Sequence, residues 1–583
     1  MCGFFLIKYK NNIIEEDKRE YLESLCNIYI KNRGPSYQES FKNESLFVYQ
    51  SVLSIQSKGE RSSILGPLGS SKYILYNGEI YGIDTSPFNS DTEYLFSLIL
   101  ENKLESQLVN LDGMYAICSV EQKDENNIKL NLYRDLAGEK HVWYYHDEDV
   151  FIVSSVPVII RKYLEIVSKL KVNLPVLEDY IFRRHLISPS EHPISGIKQL
   201  LPGNKLSFDS FQWKSKLTEF CNFKSLFDFN EYLIYQEITN AEYNRTFSKV
   251  FDSVLQEMEE KTPKDRSSSS IISGGFDSSI VAASLLNSNR NIDLYTMLFD
   301  KKDKVAKNVP KILNNLNKEK YNFNHFEVNC SLETYTNRLK NSINILSSPV
   351  NTHSIPSASL VVEAAKINGN LVIYGGEGAD ESFLGYETYK LEKSKYSDYN
   401  RICSSSNLSQ EALERVKHGS IQAHIEKFKE EVRIFLSSFE KLNEKEIDVK
   451  VESFTDTFIQ LNNVGLLSAD TVNSDLGIEC RTPFTRKKLL KLALSTPPEK
   501  LTNQLNSFKL PIKEKFINYY GENSLMPKIG FAGFPNESAL FLGDYSNWVV
   551  WEYFGWAYKN FPKMSINEAW KFINLEWFLR ICF

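Results

Sequence analysis

Two glycine-rich segments in the second half of the 583-residue chain constrain its fold more than any other feature. Residues 273–279 (SGGFDSS) follow a strand-like stretch at 267–272, and residues 375–381 (GGEGADE) follow another at 371–374. Strand-like and helical stretches alternate across this region, which predicts a doubly wound parallel sheet. Ligands bind such sheets at the carboxyl ends of the strands. We therefore expect both segments to line one ligand site.

The first 160 residues have a different pattern. Short stretches rich in β-branched and aromatic residues are separated there by turns that contain Gly and Pro, and helical stretches fit at 17–31 and 91–101. Strands with few helices predict a layered α/β/β or sandwich domain. The change of pattern predicts an N-terminal domain at 2–205, a linker at 206–240 and a second domain at 241–583.

The composition excludes several classes of protein. The formal net charge is −6 and the pI is about 5.9, so the chain has no basic field to hold nucleic acid or an anionic membrane. No apolar run approaches the length of about 18 residues that a membrane-spanning helix needs. The eight cysteines form no Cys-x-x-Cys pair and are too sparse for a disulfide framework. We expect a cytoplasmic protein with reduced thiols that binds neither nucleic acid nor membranes.

Cys2 is the first residue with a distinctive chemistry. If Met1 is removed, Cys2 carries a free α-amine beside its thiol, and the amine can take the thiol proton. Three short segments follow in order, at 33–35 (RGP), 77–81 (NGEIY) and 90–93 (SDTE). Each segment alone could be a turn without a catalytic role. Together with Cys2 they resemble the class II glutaminase domain, in which an N-terminal nucleophile attacks the glutamine amide.

The resemblance implies a role for each polar residue of these segments. Asn77 and the Gly78 N–H would form the oxyanion hole for the charge that develops during the attack. Arg33 would pair with the glutamine α-carboxylate, a planar group that a guanidinium binds bidentately. Glu79 and Asp91 would hold the α-amino group.

The segment at 273–279 has the chemistry of an anion-binding loop. Its glycines let backbone N–H groups approach an anion, and the helix that follows adds its positive N-terminal end. A tight polar turn would have a similar composition. The pattern is similar to SGGxDS, the pyrophosphate loop of ATP pyrophosphatases, which release pyrophosphate and leave AMP on the substrate. This resemblance implies an ATP site that consists of Ile271, Ser273, Gly274, Gly275, Asp277, Ser278, Ser279, Met297, Gly375 and Gly376.

The segment at 375–381 extends the resemblance to the asparagine synthetase family, which carries SGEGSDE at this place. The resemblance implies that Asp277 and Asp380 bind Mg²⁺, since carboxylates beside a triphosphate repel it unless a metal bridges them. It also implies that Glu377 is a base for the incoming amine.

Two further segments match the family. Residues 477–484 (GIECRTPF) match its GIEARVPF, and residues 526–531 (MPKIGF) match its RPKxGF. The second match would put Lys528 over the phosphates, where it would stabilise charge on the transferring group. Lys509 is a second candidate for this role.

The resemblance spans the chain from residue 1 to about residue 531 in colinear order. It implies an N-terminal nucleophile (Ntn) hydrolase α/β/β/α sandwich followed by an adenine-nucleotide α-hydrolase-like doubly wound parallel sheet. It also implies that glutamine, ATP and Mg²⁺ are used to amidate a carboxylate through an acyl-AMP intermediate. Aspartate is the first expected acceptor, and a homodimer through the glutaminase half is expected by resemblance.

The sequence leaves the acceptor open. Residues 468–475 (SADTVNSD) stand where family members that act on aspartate carry an RxDRMSM-like segment, and both arginines and both methionines are replaced. His353 lies where the family lines its acceptor pocket, and it either reads a different acceptor or is a buried, hydrogen-bonded histidine. The chain could therefore amidate a sugar uronic acid or a natural-product acid. Ring closure by an internal amine, as in β-lactam synthetase, conflicts with the presence of Cys2.

A non-catalytic regulatory or binding homologue is the alternative from another class of protein. Such a homologue is expected to have lost at least one site residue, whereas this sequence retains Cys2, Arg33, Asn77, Asp91, Asp277, Asp380 and Lys528. Modification of tRNA would require a basic face or a zinc-type cysteine cluster, and the sequence has neither.

Overall fold

The computed structural model describes residues 2–11, 14–56, 66, 71–84, 87–124, 126–183, 185, 188–288, 291–299, 304–316, 321–386, 389, 408–473, 475–503, 507–525 and 544–583. Three sheets organise this part of the chain.

The first sheet is antiparallel and contains six strands. They are β1 (Cys2–Tyr9), β2 (Tyr37–Lys42), β3 (Leu46–Val52), β7 (Trp143–His146), β8 (Val150–Ser154) and β9 (Lys198–Gln199). Their order across the sheet is β2-β3-β1-β8-β7-β9. Strand β1 is buried along its whole length, and its side chains alternate between two apolar faces, with Phe4 on one and Phe5 on the other.

The second sheet is also antiparallel and contains five strands. They are β4 (Lys72–Tyr81), β5 (Asp112–Gln122), β6 (Ile128–Arg134), β10 (Asn204–Asp209) and β11 (Lys214–Glu219). Their order is β11-β10-β6-β5-β4. Strand β11 (KSKLTE) is almost entirely exposed at the sheet edge, which is why its sequence lacks an apolar signal.

The two antiparallel sheets form the inner layers of an α/β/β/α sandwich. Their facing sides share one core, in which Phe4 and Leu6 of the first sheet lie in the same cluster as Leu75 and Phe208 of the second. Helices α1 (Glu16–Tyr29) and α4 (Pro157–Ile166) pack on the outer face of the first sheet. Helices α2 (Asp91–Leu100) and α3 (Leu104–Leu108) pack on the outer face of the second. The predicted Ntn-type sandwich is confirmed.

The third sheet is parallel throughout and lies in the second half of the chain. Its strands are β12 (Ser268–Ile271), β13 (Ile292–Leu298), β14 (Phe323–Asn329), β15 (Val372–Tyr374) and β16 (Glu479–Arg481). Their order is β14-β13-β12-β15-β16. Helices α8 (Phe276–Asn287), α9 (Lys304–Asn315), α10 (Leu332–Leu346) and α11 (Ile355–Ile367) connect the strands, which confirms the predicted doubly wound sheet. Because β12 and β15 are neighbours, the two glycine-rich segments leave the sheet side by side.

The remaining helices surround this sheet and the contact between the two halves. They are α5 (Leu174–Phe182), α6 (Phe229–Glu237), α7 (Asn240–Glu259), α12 (Ala379–Ser382), α13 (Gln410–Lys417), α14 (Ser420–Ser437), α15 (Glu444–Thr455), α16 (Lys487–Leu494), α17 (Pro498–Leu501), α18 (Leu510–Tyr520), α19 (Val550–Tyr558) and α20 (Ile566–Cys582). Within the described ranges, no helix has both the length and the apolar character that a bilayer crossing requires.

Helix α15 continues into a segment with π-type hydrogen bonding. This segment comprises Asp456–Gln460, Asn462–Leu466 and Ser468–Val472, and most of its side chains are buried. Short π-helical turns are rare and often lie at functional sites. Here the segment runs along the seam between the two halves of the chain, because its Asn462 and Asp470 bind residues of the sandwich.

The segment at 206–240 is mostly regular structure in the described chain. Strand β10 spans residue 206, β11 ends at Glu219, and α6 follows before α7 begins at Asn240. The second sheet of the sandwich therefore extends into the segment that the sequence predicts as a linker. The domain limits 2–205 and 241–583 stay a prediction.

Candidate functional site

Cys2 begins β1 in the middle of the first sheet. Its backbone N–H donates to Oδ1 of Asn77 at 3.0 Å, and the residue is 8% exposed. Burial raises the pKa of the Cys2 thiol, and a hydrogen bond with the Leu53 backbone opposes this rise. The thiol is therefore protonated at neutral pH and needs a local base before it can act as a nucleophile.

Asn77 and Gly78 lie next to Cys2 on β4. Asn77 is completely buried, and its Nδ2 has no hydrogen-bond partner among the described residues. An unpaired buried N–H is energetically costly and is rare outside sites that use it. Gly78 has φ 151°, and a Cβ there would stand 2.0 Å from the Met114 carbonyl oxygen, so only glycine fits. Asn77 therefore places an N–H donor without a hydrogen-bond partner among the described residues next to Cys2.

Arg33 has partners within the chain. Its Nε donates to the Cys2 carbonyl oxygen at 3.1 Å, and its Nη2 donates to Oδ1 of Asp470 at 3.0 Å. Its side chain is completely buried. The carboxylate on this guanidinium therefore belongs to the second half of the chain.

Glu79 and Asp91 have different partners. Glu79 forms a buried bidentate pair with Arg481, whose Nε and Nη2 donate at 2.9 and 2.7 Å. Asp91 accepts hydrogen bonds from the Tyr76 hydroxyl at 3.1 Å and the Ile80 N–H at 3.2 Å. Burial raises the pKa of Asp91.

A buried polar network joins the two halves around these residues. Lys140 lies 2.6 Å from Oε1 of Glu479 and 3.8 Å from Oδ1 of Asp470, and the His141 N–H donates to Oδ2 of Asp470 at 2.8 Å. Although burial opposes it, the positive charges around Glu479, with Lys140 the strongest of them, lower its pKa to about 2. Burial opposes ionisation of Asp470, but Arg33, His141 and Lys140 together hold its pKa below the ordinary value.

Sequence reasoning assigned no function to this network. Glu479 and Arg481 belong to the segment 477–484, whose family motif indicates no role for either residue. Asp470 belongs to the segment 468–475, whose sequence bears only on the acceptor. The motif match was the available signal, but the partners of these residues lie several hundred positions away in sequence.

The two glycine-rich segments meet at the carboxyl edge of the parallel sheet, as expected. Gly274 has φ 80°, and Gly275 precedes α8, whose first turn contains Asp277. The Ser273 N–H donates to Oγ of Ser278 at 3.1 Å, which fixes the turn. A Cβ on Gly376 would stand 2.9 Å from Cβ of Asp277 and 3.0 Å from the Ser278 nitrogen. The second segment therefore lies directly against the first.

The other residues of the predicted ATP site lie at the same edge. Ile271 ends β12, Met297 is buried near the end of β13, and Gly375 follows β15. Ser279 is buried in α8, and its Oγ has no hydrogen-bond partner among the described residues. All described members of the predicted set are thus at the end of the sheet where an α/β fold binds nucleotides.

The two predicted metal ligands share one cation. Nζ of Lys509 lies 2.6 Å from Oδ2 of Asp277 and 2.8 Å from Oδ1 of Asp380. The two carboxylates are therefore close enough to hold a single positive charge, and oxygen donors of this kind suit Mg²⁺. Among the described residues there is no group of three or more His, Cys, Asp or Glu side chains that could hold a metal.

Burial raises the pKa of Glu377, and the negative charge of Asp277 raises it further.

The remaining predicted residues are Lys528 and His353. Lys528, with the rest of the segment 526–531, lies outside the described residues. His353 lies in the loop before α11, where its carbonyl oxygen accepts from the Tyr335 hydroxyl at 2.8 Å. Its ring meets the Trp570 ring edge-on, with centroids 6.0 Å apart. The terminal helix α20 therefore contributes to the surroundings of this histidine.

Two family models match the chain. Residues 250–552, slightly more than half of the chain, match the family described as asparagine synthase. Residues 1–219 match the model described as glutamine amidotransferase domain.

Curated relatives match parts of the chain. Over 411 residues it is 25% identical to "Asparagine synthetase [glutamine-hydrolyzing] 1" of Bacillus subtilis, covering 67% of this chain and 60% of the relative. Over 224 residues it is 28% identical to "Putative asparagine synthetase [glutamine-hydrolyzing] 2" of Methanocaldococcus jannaschii, covering 32% of this chain and 40% of the relative. Both matches span less than two thirds of the relative's own length.

Two solved structures show a weak similarity. One is the "allosteric regulatory enzyme of purine biosynthesis", with 14% sequence identity and a TM-score of 0.25. The match covers 56% of this chain and 80% of that one. The other is the B. subtilis glutamine phosphoribosylpyrophosphate amidotransferase complexed with ADP and GMP, with 15% sequence identity and a TM-score of 0.25. The match covers 50% of this chain and 65% of that one. The architecture described above rests on the sheets of this chain and not on these similarities. With the family match over 250–552, the chain belongs to the asparagine synthase family.

Proposed function

We propose that this chain uses glutamine and ATP to convert a carboxylate into an amide, through an acyl-AMP intermediate, with release of AMP and pyrophosphate. The observation that carries the proposal is the coexistence of two sites in one molecule. A buried cysteine stands beside an unpartnered amide donor in the sandwich, and a glycine-rich anion loop ends a strand of the parallel sheet. The family membership supports the same pairing of activities.

The glutaminase half-reaction is proposed to begin at Cys2. After removal of Met1, the α-amine of Cys2 takes the thiol proton, and the sulfur attacks the glutamine amide carbon. Nδ2 of Asn77 and the Gly78 N–H stabilise the oxyanion that forms. The intermediate collapses to a thioester as the amine returns the proton to the leaving ammonia. Water then hydrolyses the thioester to glutamate.

Glutamine is proposed to be held by Arg33, Glu79 and Asp91. The Asp91 carboxylate, oriented by Tyr76 and Ile80, suits the α-ammonium group. Arg33 and Glu79 already pair with Asp470 and Arg481. We infer that they hold glutamine while sharing these partners, so the second half of the chain affects the glutamine site.

The synthetase half-reaction is proposed to take place at the carboxyl edge of the parallel sheet. The N–H groups at the start of α8 bind the ATP phosphates, and the acceptor carboxylate attacks the α-phosphorus as pyrophosphate leaves. Ammonia then attacks the acyl-AMP carbonyl carbon, Glu377 takes a proton from the ammonia nitrogen, and the bond from this carbon to the phosphate oxygen breaks, so that AMP leaves as the amide forms. The raised pKa of Glu377 makes it a stronger base than an ordinary carboxylate.

Mg²⁺ is the metal proposed for this site, held by Asp277 and Asp380. When bound, it neutralises negative charge on the phosphates. Lys528 is proposed as a further cation over the phosphates.

The proposed acceptor is aspartate, with asparagine as the product. Another carboxylate, such as a sugar uronic acid or a natural-product acid, is the second candidate. The replaced arginines and methionines of the segment 468–475 are the observation that favours it.

The test is an end-point assay on purified protein with ATP, Mg²⁺ and glutamine, with and without aspartate. Mass spectrometry follows glutamate, AMP, pyrophosphate and asparagine. We expect aspartate-dependent AMP and asparagine, and we expect Cys2→Ala to retain only the amidation that added ammonia supports. Glutamate release without aspartate-dependent AMP would exclude aspartate and lead to a panel of carboxylates that begins with uronic acids. Neither glutamate nor pyrophosphate with any carboxylate would overturn the proposed activity.

A further inference from the structure

Lys509 occupies an unusual position in the backbone and in the site. It has φ 51° and ψ 48°, in the left-handed region, directly before α18 (Leu510–Tyr520). A residue with a Cβ is strained there, and such strain persists where surrounding contacts hold it. Lys509 is 4% exposed, so this conformation delivers a long cationic side chain into a buried place.

The contacts that hold Lys509 are the two carboxylates proposed as metal ligands. Its Nζ lies 2.8 and 2.6 Å from the two oxygens of Asp277 and 2.8 Å from Oδ1 of Asp380. These are the distances of charge-assisted hydrogen bonds. One ammonium thus offsets the repulsion between two carboxylates, as a metal ion would.

A divalent ion without nucleotide would find a poor site here. Both carboxylates already share a cation, and the described residues around them form no group of three or more acidic, histidine or cysteine side chains. Mg²⁺ usually binds proteins through one or two carboxylates together with substrate phosphates. The phosphates would also give the displaced ammonium a new anionic partner.

We propose that Lys509 acts as the internal cation of the metal site and makes divalent-metal binding depend on ATP. In the nucleotide-free chain Lys509 bridges Asp277 and Asp380 and keeps them together. When metal and ATP bind, Lys509 releases these carboxylates and moves to phosphate oxygens. Lys509 is thus a positioning residue of the nucleotide site. This inference rests on the proposed use of ATP at this edge of the sheet.

The test is a titration of the nucleotide-free protein with Mn²⁺, with the free ion measured by electron paramagnetic resonance. We expect the wild type to bind Mn²⁺ at least tenfold more tightly in the presence of the non-cleavable analogue α,β-methylene-ATP than in its absence. Lys509→Met should bind Mn²⁺ without the analogue at least tenfold more tightly than the wild type, because the ammonium that competes with the metal for the two carboxylates is removed. Adding Asp380→Asn to Lys509→Met should remove this gain.

Lys513→Met is the matched control. Lys513 lies one turn further along α18 and donates to the Ser507 hydroxyl instead of a carboxylate. Its replacement should leave nucleotide-free Mn²⁺ binding unchanged. The melting temperature is a second readout: Lys509→Met should melt below the wild type in EDTA, and added Mg²⁺ should narrow the difference.

The wild type alone can overturn the proposal, even if Lys509→Met fails to fold. Equal Mn²⁺ affinity with and without the analogue would show that Lys509 does not restrict the site. A folded Lys509→Met protein without any gain would also overturn it. Because Mn²⁺ binding is measured without turnover, failure of the proposed amidation would be seen separately in the end-point assay.

Discussion

The ion pair between Arg33 and Asp470 should contribute measurably to the stability of the folded chain. The two side chains are 0% and 2% exposed, and Nη2 of Arg33 lies 3.0 Å from Oδ1 of Asp470. Removing one member of a buried pair costs about 3–5 kcal/mol, because the other charge is left without compensation. Arg33→Met and Asp470→Asn should each lower the free energy of unfolding by roughly 3 kcal/mol.

The double variant separates this pair from the other contacts of its members. Asp470 also accepts the His141 N–H, and Arg33 also donates to the Cys2 carbonyl, so each single change removes more than the pair. The loss in the double variant should be about 2 kcal/mol smaller than the sum of the single losses. Urea unfolding followed by tryptophan fluorescence measures these free energies. A difference below about 0.5 kcal/mol would refute the reasoning, because independent residues give additive losses.

The contribution of the Arg33–Asp470 pair to the free energy of unfolding should depend on pH. Burial opposes ionisation of Asp470, but Arg33 and the hydrogen bond with His141 hold its pKa below the ordinary value. The stability from such a depressed pKa is present above the unfolded pKa of about 3.9 and is lost as pH falls toward the folded pKa. The loss caused by Asp470→Asn should therefore be about 1 kcal/mol smaller at pH 3 than at pH 7.

Three further variants test other parts of the molecule. Asn77→Ala should lower kcat for glutamine hydrolysis about 10²–10³-fold, because the Nδ2 donor to the oxyanion is lost; an unchanged kcat would remove Asn77 from the oxyanion hole. Gly376→Ala should abolish pyrophosphate release but leave glutamine hydrolysis, because the new Cβ would meet Asp277 at 2.9 Å; parallel assays of both products decide this. Burial lowers the pKa of Lys450 in the folded chain to about 7. Above this pH the unfolded chain therefore binds more protons than the folded chain. Urea unfolding should show wild type gaining about 2 kcal/mol over Lys450→Met between pH 7 and pH 9, and a constant difference would contradict the lowered pKa.

Local sequence signals were sufficient for most of the secondary structure. The helical stretch expected at 91–101 matches α2 (Asp91–Leu100), and the helix expected behind the glycines of the segment 273–279 is α8, which begins at Phe276. Ser90 caps the start of α2, since its side chain accepts the Glu93 N–H at 3.2 Å. Each of these features depends on residues within a few positions of one another, so the sequence pattern contains the cause.

Elements without a local signal were not predicted. Strand β11 consists mainly of charged and polar residues, and it is a strand because its backbone pairs with β10. The π-type hydrogen bonding over residues 456–472 also has no distinctive composition. Its Asn462 binds Arg134, and its Asp470 binds Arg33, so contacts with the sandwich accompany this irregular geometry.

The sequence by itself determined the two folds, the family and the set of polar residues at each proposed site, because short motifs at the ends of strands specify these features. Only the tertiary structure decided which charges meet. Arg33 pairs with a residue 437 positions away, Glu79 with one 402 positions away, and Asp277 with one 232 positions away. A buried charge is strongly destabilising unless an opposite charge lies beside it, but several oppositely charged residues of the chain could fill that position. The packing of the two halves selects among them, and no local pattern contains that information.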